Sequence, residues 1–489
     1  MSDIDASACR LATAIAPQLA EHAGQSGIYL LPNASEAFAA RVLLAKFAER
    51  TLDVQYYIWR YDMTGTIMFD ALRAAAKRGV RVRILLDDNN TAGLDETLTA
   101  LDAHPNIEVR LFNPLTIRTP RWLGYVTDLL RLNRRMHNKS FTADNQATII
   151  GGRNIGDEYF DASEDMVFAD LDVIAVGPVV NDVSADFERY WRSTSARSVR
   201  GLLPRVKAAR YAELAKQASL IDRDAKAAAY VDAIHNLSFV QQLVEGSLAL
   251  EWAPTRMISD VPAKVRGRVR RRQLMFEKLT EVIGECVSHF DLVSPYFVPT
   301  AAGVDAFVAL AKRGVRIRVL TNSLEATDVI AVHAGYAKRR KPLLKAGIKL
   351  YELRRMSSDP RPRKRVIGSR GSDGSSGSSS SSSLHAKTFS VDRSRVFIGS
   401  FNFDPRSVQL NTELGFIIDS PTLAQRIEST ISQQLAATTY EVRLSESGNL
   451  YWVEHREGQL VTHNIEPGTS PYLRAGVCLL SLLPIDWLL

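Results

Sequence analysis

The sequence predicts an α/β fold in which two similar lobes follow one another along the chain. The first reason is length, because 489 residues exceed one ordinary hydrophobic core and two domains of about 200 residues are expected. The second is an internal repeat, since residues 74–86 and 309–320 read AAAKRGVRVRILL and ALAKRGVRIRVL. The third is that strand and helix patterns alternate in each copy, which is typical of α/β units with a mixed or parallel sheet.

Each copy of the repeat predicts the same order of elements. An apolar strand comes first, then a helix that ends at a glycine, Gly79 or Gly314, because glycine readily adopts the left-handed backbone that closes a helix. A buried strand, a second helix and another strand follow. The first strand is predicted at 52–59 in one copy and at 290–298 in the other, and the last strand at 107–114 and at 348–355.

These patterns divide the chain into four predicted regions. They are a first lobe over 1–200, a helical bridge over 201–250, a second lobe over 251–440 and a C-terminal extension with an apolar tail over 441–489. A serine-rich stretch at 369–383 predicts a flexible loop within the second lobe. Both a passive surface insertion and a lid are compatible with this composition.

Composition limits the partners and the setting. The net charge is +7, which favours nucleic acid, anionic lipid or phosphorylated substrates without choosing among them. Three widely spaced cysteines, Cys9, Cys286 and Cys478, predict no disulfide framework or cysteine metal site. No apolar run reaches the roughly 20 residues of a membrane span, and Asp3 and Asp5 lie where a signal peptide would carry cations. We therefore expect a cytoplasmic protein, free or on a membrane surface.

One motif stands once in each copy and supplies the candidate catalytic residues. A histidine, a lysine and an aspartate occur at i, i+2 and i+7, and a glycine-containing turn and an asparagine follow at the same distance in both copies. The candidate catalytic residues are His137, Lys139, Asp144, His385, Lys387 and Asp392, and the candidate substrate-binding residues are Asn154 and Asn402. Two identical spacings on duplicated units argue against chance.

This set of side chains fits phosphodiester chemistry. One imidazole can attack phosphorus while the other protonates the departing alcohol, and the lysines and asparagines can stabilise the phosphate oxygens. A nucleophilic histidine needs an acceptor for its other ring nitrogen. Asp170 and Glu413 follow their histidines at matching points in the repeats and are the predicted orienting residues, with Asp172 as the alternative in the first copy. No metal-ligand spacing is present, so no metal or cofactor is predicted.

The paired motifs resemble those of the phospholipase D superfamily over about residues 35–440. The resemblance implies two lobes related by a pseudo-two-fold axis, with the active site in the cleft between them. More narrowly, LNRRMHNKSFTADNQATIIGGRNIGDEYF and FIGSFNFDPRSVQLNTELGF are similar to bacterial cardiolipin synthases. That implies transfer of a phosphatidyl group onto phosphatidylglycerol through a phosphohistidine. Hydrolysis of phospholipids to phosphatidic acid, and a nuclease or other phosphodiesterase of the superfamily, remain alternatives.

The same resemblance sets the expected partners and location. It implies phospholipid substrates, namely phosphatidylglycerol and possibly phosphatidylethanolamine, with no nucleic acid, and peripheral attachment to the inner face of a bacterial cell membrane. The basic run 264–272 and the apolar end 471–489 are the expected contacts with anionic lipid. Four aromatic side chains are expected to keep the cleft apolar. They are Tyr57, Trp59, Tyr296 and Phe297. The sequence predicts no oligomeric state.

Overall fold

A computed structural model describes the chain over residues 9–118, 120–163, 166–206, 225–235, 237–239, 242, 247–355, 381–456 and 458–483. The first lobe has strands β1 (Ser26–Leu31), β2 (Thr51–Ile58), β3 (Arg81–Asn90), β4 (Ile107–Phe112), β5 (Ser140–Ala143), β6 (Ala147–Gly151), β7 (Met166–Ala169), β8 (Asp172–Val176), β9 (Ala196–Ser198) and β10 (Glu251–Ala253). Its helices are α1 (Arg10–Glu21), α2 (Ala34–Phe47), α3 (Met63–Lys77), α4 (Asp95–Asp102), α5 (Arg121–Leu132), α6 (Pro178–Trp191) and α7 (Ala225–His235).

The second lobe repeats this plan and adds to it. Its strands are β11 (Thr255–Ser259), β12 (His289–Val293), β13 (Arg316–Asn322), β14 (Lys349–Leu353), β15 (Ser381–Leu384), β16 (Thr388–Val391), β17 (Arg395–Gly399), β18 (Leu414–Asp419), β19 (Thr439–Leu444), β20 (Leu450–Arg456) and β21 (Gln459–His463). Its helices are α8 (Met275–Gly284), α9 (Ala301–Lys312), α10 (Ile330–Ala337), α11 (Arg340–Lys345), α12 (Pro405–Gln409), α13 (Pro421–Thr438) and α14 (Pro471–Leu482).

Each lobe is a mixed sheet flanked by helices, as predicted. The first sheet has the order β10-β1-β8-β6-β5-β2-β3-β4-β9 and the second β11-β18-β17-β16-β12-β13-β14-β19-β20-β21. In both, three parallel strands joined through helices continue into antiparallel strands that carry the motif. Gly79 and Gly314 have φ of 99° and 89°, so the glycine that ends each first helix is needed there. The repeat in the sequence is therefore a repeat in three dimensions.

The element bounds refine the predicted regions. Strand β10 joins the first sheet although it lies at the start of the predicted second lobe, and β19 to β21 lengthen the second sheet into the predicted C-terminal extension. Only part of the predicted bridge, including α7, is among the described residues. Of the predicted loop 369–383, residues 369–380 lie outside the described residues, while 381–383 belong to strand β15, which corrects the loop prediction there.

The two sheets pack against each other through an apolar cluster drawn from both lobes. It joins Ile150 of β6 and Val173 of β8 to Ile398 of β17 and to Leu414 and Phe416 of β18, all of them buried. The next residue along, Ile417, packs into the core of the second lobe. Strands with apolar residues on both faces suit a sheet that is covered on both sides. This packing places the motif strands of the lobes next to one another.

Candidate active site

The two histidines reach the centre of the molecule on extended segments just before β5 and β16. Each segment forms backbone hydrogen bonds with the opposite lobe. The His137 N–H donates to the Thr412 carbonyl at 2.9 Å, and the His385 N–H donates to the Ala169 carbonyl at 2.8 Å. The residue after each carbonyl is a predicted orienting carboxylate, Glu413 or Asp170. The backbone exchange therefore brings each carboxylate to the other lobe's histidine.

Each predicted orienting carboxylate contacts a histidine, but it is the histidine of the other repeat. The order of the repeats predicts Asp170 for His137 and Glu413 for His385. Instead, His137 Nδ1 lies 2.8 Å from Glu413 Oε2, and His385 Nδ1 lies 2.5 Å from Asp170 Oδ2. The alternative, Asp172, forms a buried ion pair with Arg41 at 2.8 Å. Both imidazoles thus use Nδ1 for orientation, which leaves chemistry to Nε2.

Both histidines line one cleft of about 530 Å³ between the lobes. Its wall also carries Tyr57, Arg60, Asn154, Tyr159, Tyr296, Asp328, Asn402, Asp404 and Arg406. A tyrosine stands edge-on to each imidazole, since Tyr57 lies 4.9 Å from His137 and Tyr159 lies 5.3 Å from His385 between ring centroids. One cleft that holds two oriented imidazoles is the arrangement needed for an in-line displacement at one phosphorus.

The aromatic lining differs from the prediction in two of four positions. Tyr57 and Tyr296 line the cleft, but Trp59 and Phe297 are buried in the cores of their lobes. Trp59 lies just beyond the end of β2 and stacks on Phe69 at 4.4 Å between centroids. Because β2 has already ended, alternation along the strand no longer decides where Trp59 points.

The lysines and asparagines surround the histidines. Lys139 Nζ donates to the His137 carbonyl at 2.7 Å, and Lys387 Nζ donates to the His385 carbonyl. Asn154 is held at both ends of its amide, by the Ile58 N–H at 3.1 Å and the Tyr159 hydroxyl at 3.0 Å. The buried Oδ1 of Asn402 has no hydrogen-bond partner among the described residues. Because Asn402 lines the cleft and this oxygen has no protein partner among those residues, its side-chain amide is suited to a hydrogen bond with a polar group of a substrate.

Burial lowers the pKa values of the cationic groups in the site. Burial, Lys139 and Lys387 hold the pKa of His137 well below its ordinary value. Burial and Lys387 lower the pKa of His385 to about 4, and burial lowers the pKa of Lys139 to about 7. A phosphate that enters the site would counteract these shifts, because its negative charge favours the protonated form of each group.

The two orienting carboxyls differ. Burial raises the pKa of Glu413 to about 7, although the hydroxyls of Ser400 and Ser407 donate to it. Burial acts on Asp170 too, but the charge and hydrogen bond of His385 outweigh it and hold the Asp170 pKa below its ordinary value. Asp170 thus stays ionised and opposes the lowering of the His385 pKa, which still lies at about 4, so His385 becomes positively charged near neutral pH only with the help of an anionic substrate.

The structure shows a structural role for the motif aspartates Asp144 and Asp392, and their catalytic role stays a prediction. Both lie beyond the motif strands, at turns where they adopt φ of 52° and 51°. Asp144 accepts hydrogen bonds from three consecutive backbone N–H groups, those of 49–51, at 2.8–2.9 Å. Asp392 accepts the N–H groups of 287–289 in the same way. Asp144 therefore joins the turn after β5 to the start of β2, and Asp392 joins the turn after β16 to the start of β12.

Several site residues were not predicted from the sequence, among them Ser400, Ser407 and Arg406. Ser400 and Ser407 bind the Glu413 carboxylate, and Arg406 lines the cleft. Ser400 stands inside the turn Gly399-Ser400-Phe401-Asn402, so the motif contained a signal for it. Ser407 and Arg406 belong to the short helix α12, and only the fold brings them to the histidines.

Comparison with known proteins identifies relatives over almost the whole chain. The family model described as "Cardiolipin synthase, PLD-like domain" matches residues 44–191 and 279–435. Cardiolipin synthase C of Escherichia coli (strain K12) is 50% identical over 482 residues, which cover 98% of this chain and 100% of that protein. Cardiolipin synthase B of Shigella flexneri is 25% identical over 417 residues, covering 85% of this chain and 82% of that protein.

A solved structure has the same fold. The crystal structure of phosphatidylserine synthase from Haemophilus influenzae Rd KW20 superposes with a TM-score of 0.60 and 13% sequence identity, covering 98% of this chain and 100% of that chain. At this identity the likeness concerns the fold alone. Together with the family model, which matches both repeats, it confirms the predicted architecture of two phospholipase D-like lobes.

Asp144→Ala should lower the free energy of unfolding by about 2–4 kcal/mol, because three backbone donors lose a charged acceptor. Urea unfolding measures the change, with Asp182→Ala on the exposed side of α6 as a control that should change stability by less than about 0.5 kcal/mol. The folded variant should keep its turnover. A stable but inactive Asp144→Ala protein would support the catalytic assignment.

Sulfate should bind the empty cleft more weakly as pH rises through about 7, where Lys139 loses its proton. Glu413 becomes ionised in the same range and acts in the same direction. In titration calorimetry the Kd should increase toward tenfold per pH unit above this point, and Lys139→Met should weaken binding below it and flatten the profile. Affinity that stays constant into the alkaline range would contradict this charge assignment.

Proposed function

We propose that this chain, which belongs to the family of cardiolipin synthases with phospholipase D-like domains, makes cardiolipin by transferring a phosphatidyl group onto phosphatidylglycerol. The observation that carries the proposal is the pair of oriented histidines in one cleft, in a chain 50% identical to Escherichia coli cardiolipin synthase C. Such a site performs two displacements at one phosphorus. The donor is a second phosphatidylglycerol or phosphatidylethanolamine.

In the first displacement, His137 Nε2 attacks phosphorus as the bond to the headgroup oxygen breaks. His385 gives its Nε2 proton to that oxygen, so the headgroup leaves as a neutral alcohol and the phosphatidyl group remains on His137. Lys139, Lys387 and the two motif asparagines stabilise the charge that develops on the phosphate oxygens.

In the second displacement, the free hydroxyl of phosphatidylglycerol enters from the side that the first alcohol left. His385 takes its proton while the hydroxyl oxygen replaces Nε2 at phosphorus. Cardiolipin forms and His137 becomes a neutral imidazole again. Because the intermediate is covalent, the first alcohol can leave before the acceptor arrives.

The different carboxylates support this division of roles. Asp170 opposes the lowering of the His385 pKa, and the negative charge of a bound phosphodiester acts in the same direction, so His385 can become the imidazolium that a general acid needs. His137 is held neutral by burial and by the two lysines, and a neutral imidazole is the form that attacks. A lysine donates to the backbone carbonyl of each histidine. The two histidines therefore differ in their carboxylate partners and not in their lysines.

We further propose that the protein attaches to the surface of the membrane that contains its substrates, on the inner face of the cell membrane. No helix among the described residues is long and apolar enough to cross a bilayer. Helix α14 exposes Tyr472, Leu479 and Leu482, which suits the contact predicted for the apolar end, while Trp487, Leu488 and Leu489 lie outside the described residues.

Replacing either histidine with alanine should reduce transfer on the order of 10³-fold or more, because each performs a step that the other cannot. His455→Ala, at an exposed histidine, is the matched control and should be active. Rapid quenching with labelled phosphatidylglycerol should trap a phosphatidyl-histidine on residue 137. A trapped adduct that persists in His137→Ala but not in His385→Ala would reverse the roles.

Purified protein on phosphatidylglycerol vesicles, with and without phosphatidylethanolamine, should yield cardiolipin as the main product in mass spectrometry. The free headgroup alcohol should appear in equal amount, because each transfer releases one. Phosphatidic acid as the dominant product with excess phosphatidylglycerol would instead support a hydrolase, and cleavage of nucleic acid without lipid turnover would support a nuclease.

A further inference from the structure

Helix α5 directs apolar side chains away from the protein. Trp122, Val126, Leu129 and Leu130 are 62%, 72%, 54% and 79% exposed. Their spacing places them on one side of a helix, and they remain exposed on both sides of a break in the helix at Asp128, where φ is −144°. A surface helix of a soluble protein normally directs such a stripe toward the core.

The opposite side of α5 is fixed to the first lobe. Gly124 lies so close to the preceding loop that a Cβ atom there would be 2.9 Å from the Ile117 carbonyl oxygen. Arg121 donates to the Asp88 carbonyl at 3.1 Å, and Arg131 donates to Asn113 Oδ1 at 2.5 Å. The outward direction of the apolar side chains is therefore set by close packing and by polar contacts beneath the helix.

The C-terminal end of α5 leads directly to the catalytic cleft. Arg406, which lines the cleft, donates to the Asn133 side chain and carbonyl, both at 2.8 Å. His137 follows four residues later. Whatever covers α5 thus lies close to residues that line the cleft.

A basic segment of the second lobe adjoins the same end. Arg134 donates to the Lys264 carbonyl at 3.3 Å, and a Cβ atom at Gly267 would lie 3.6 Å from the Arg134 guanidinium carbon. Lys264 itself is buried in an ion pair with Asp260. The exposed cations of this segment are Arg266, Arg268, Arg270, Arg271 and Arg272. The basic segment is therefore joined through Arg134 to the C-terminal end of α5.

We propose that the apolar face of α5 and the arginines of 266–272 form one docking surface for an anionic phospholipid bilayer. Exposed tryptophan and leucine enter the boundary between headgroups and acyl chains, and arginines beside them attract anionic headgroups. The choice of lipid as the occupant rests on the proposed function, since two-chain substrates stay in the bilayer. Docking through α5 would place the cleft entrance at the headgroups.

The test compares the full chain with Leu129→Gln/Leu130→Gln in sedimentation with vesicles of phosphatidylglycerol and phosphatidylethanolamine. Leu460→Gln, at a 63% exposed leucine of β21, is the matched control. We expect the α5 variant to bind vesicles at least tenfold more weakly and the control to bind normally.

Arg268→Glu/Arg272→Glu should weaken binding mainly at low salt. Brominated lipid should quench tryptophan fluorescence, and Trp122→Phe should lose most of that quenching.

Transfer on a short-chain, monomeric phosphatidylglycerol separates docking from chemistry. The α5 variant should keep this activity while losing activity on vesicles. Unchanged vesicle binding by the α5 variant would overturn the inference, whether the 471–489 end or another surface then proves responsible. Equal loss of activity on both substrates would also overturn it. So would an α5 variant that is monomeric where the wild type is a dimer and that still binds vesicles, because a second copy of the chain would then cover α5. If the wild type binds vesicles through α5 but transfers no lipid, the proposed function fails and the docking surface stands.

Discussion

The site depends on the exchange of carboxylates between the lobes. Glu413 of the second lobe orients His137 of the first, and Asp170 of the first lobe orients His385 of the second. Next to each carboxylate, the Thr412 and Ala169 carbonyls accept hydrogen bonds from the backbone N–H groups of His137 and His385, which fixes the geometry. Neither lobe alone therefore contains a complete histidine–carboxylate pair. The apolar cluster between the sheets stabilises the contact that both pairs require.

The exchange also explains how a buried site can hold several charges. Charges removed from water are costly unless they are paired and hydrogen-bonded. Here both carboxylates and both lysines are buried, and Ser400 and Ser407 add donors to Glu413. Even so, burial holds the pKa values of the histidines and of Lys139 below their ordinary values. An anionic phosphodiester would raise these pKa values, because its charge stabilises the protonated forms. The substrate therefore supplies the negative charge that balances the cationic groups of the site.

The sequence predicted what local pattern controls and failed where packing between lobes decides. The duplicated strands, the glycine helix ends and the motif followed from spacing and periodicity. The partners of Asp170 and Glu413 did not, because spacing within one repeat carries no information about contact with the other. Asp144 and Asp392 were predicted as catalytic because they belong to the motif, yet three consecutive backbone N–H groups bind each of them. Trp59 and Phe297 lie beyond the ends of β2 and β12 and pack into the cores of their lobes.

The central claim is that two histidines act in succession on one phosphorus. The most direct measurement uses phosphatidylglycerol with a stereogenic thiophosphate and determines the configuration at phosphorus in the product. Two in-line displacements each invert the phosphorus, so the account predicts overall retention. Net inversion would show that the acceptor displaces the headgroup directly, without a phosphohistidine, and would contradict the account.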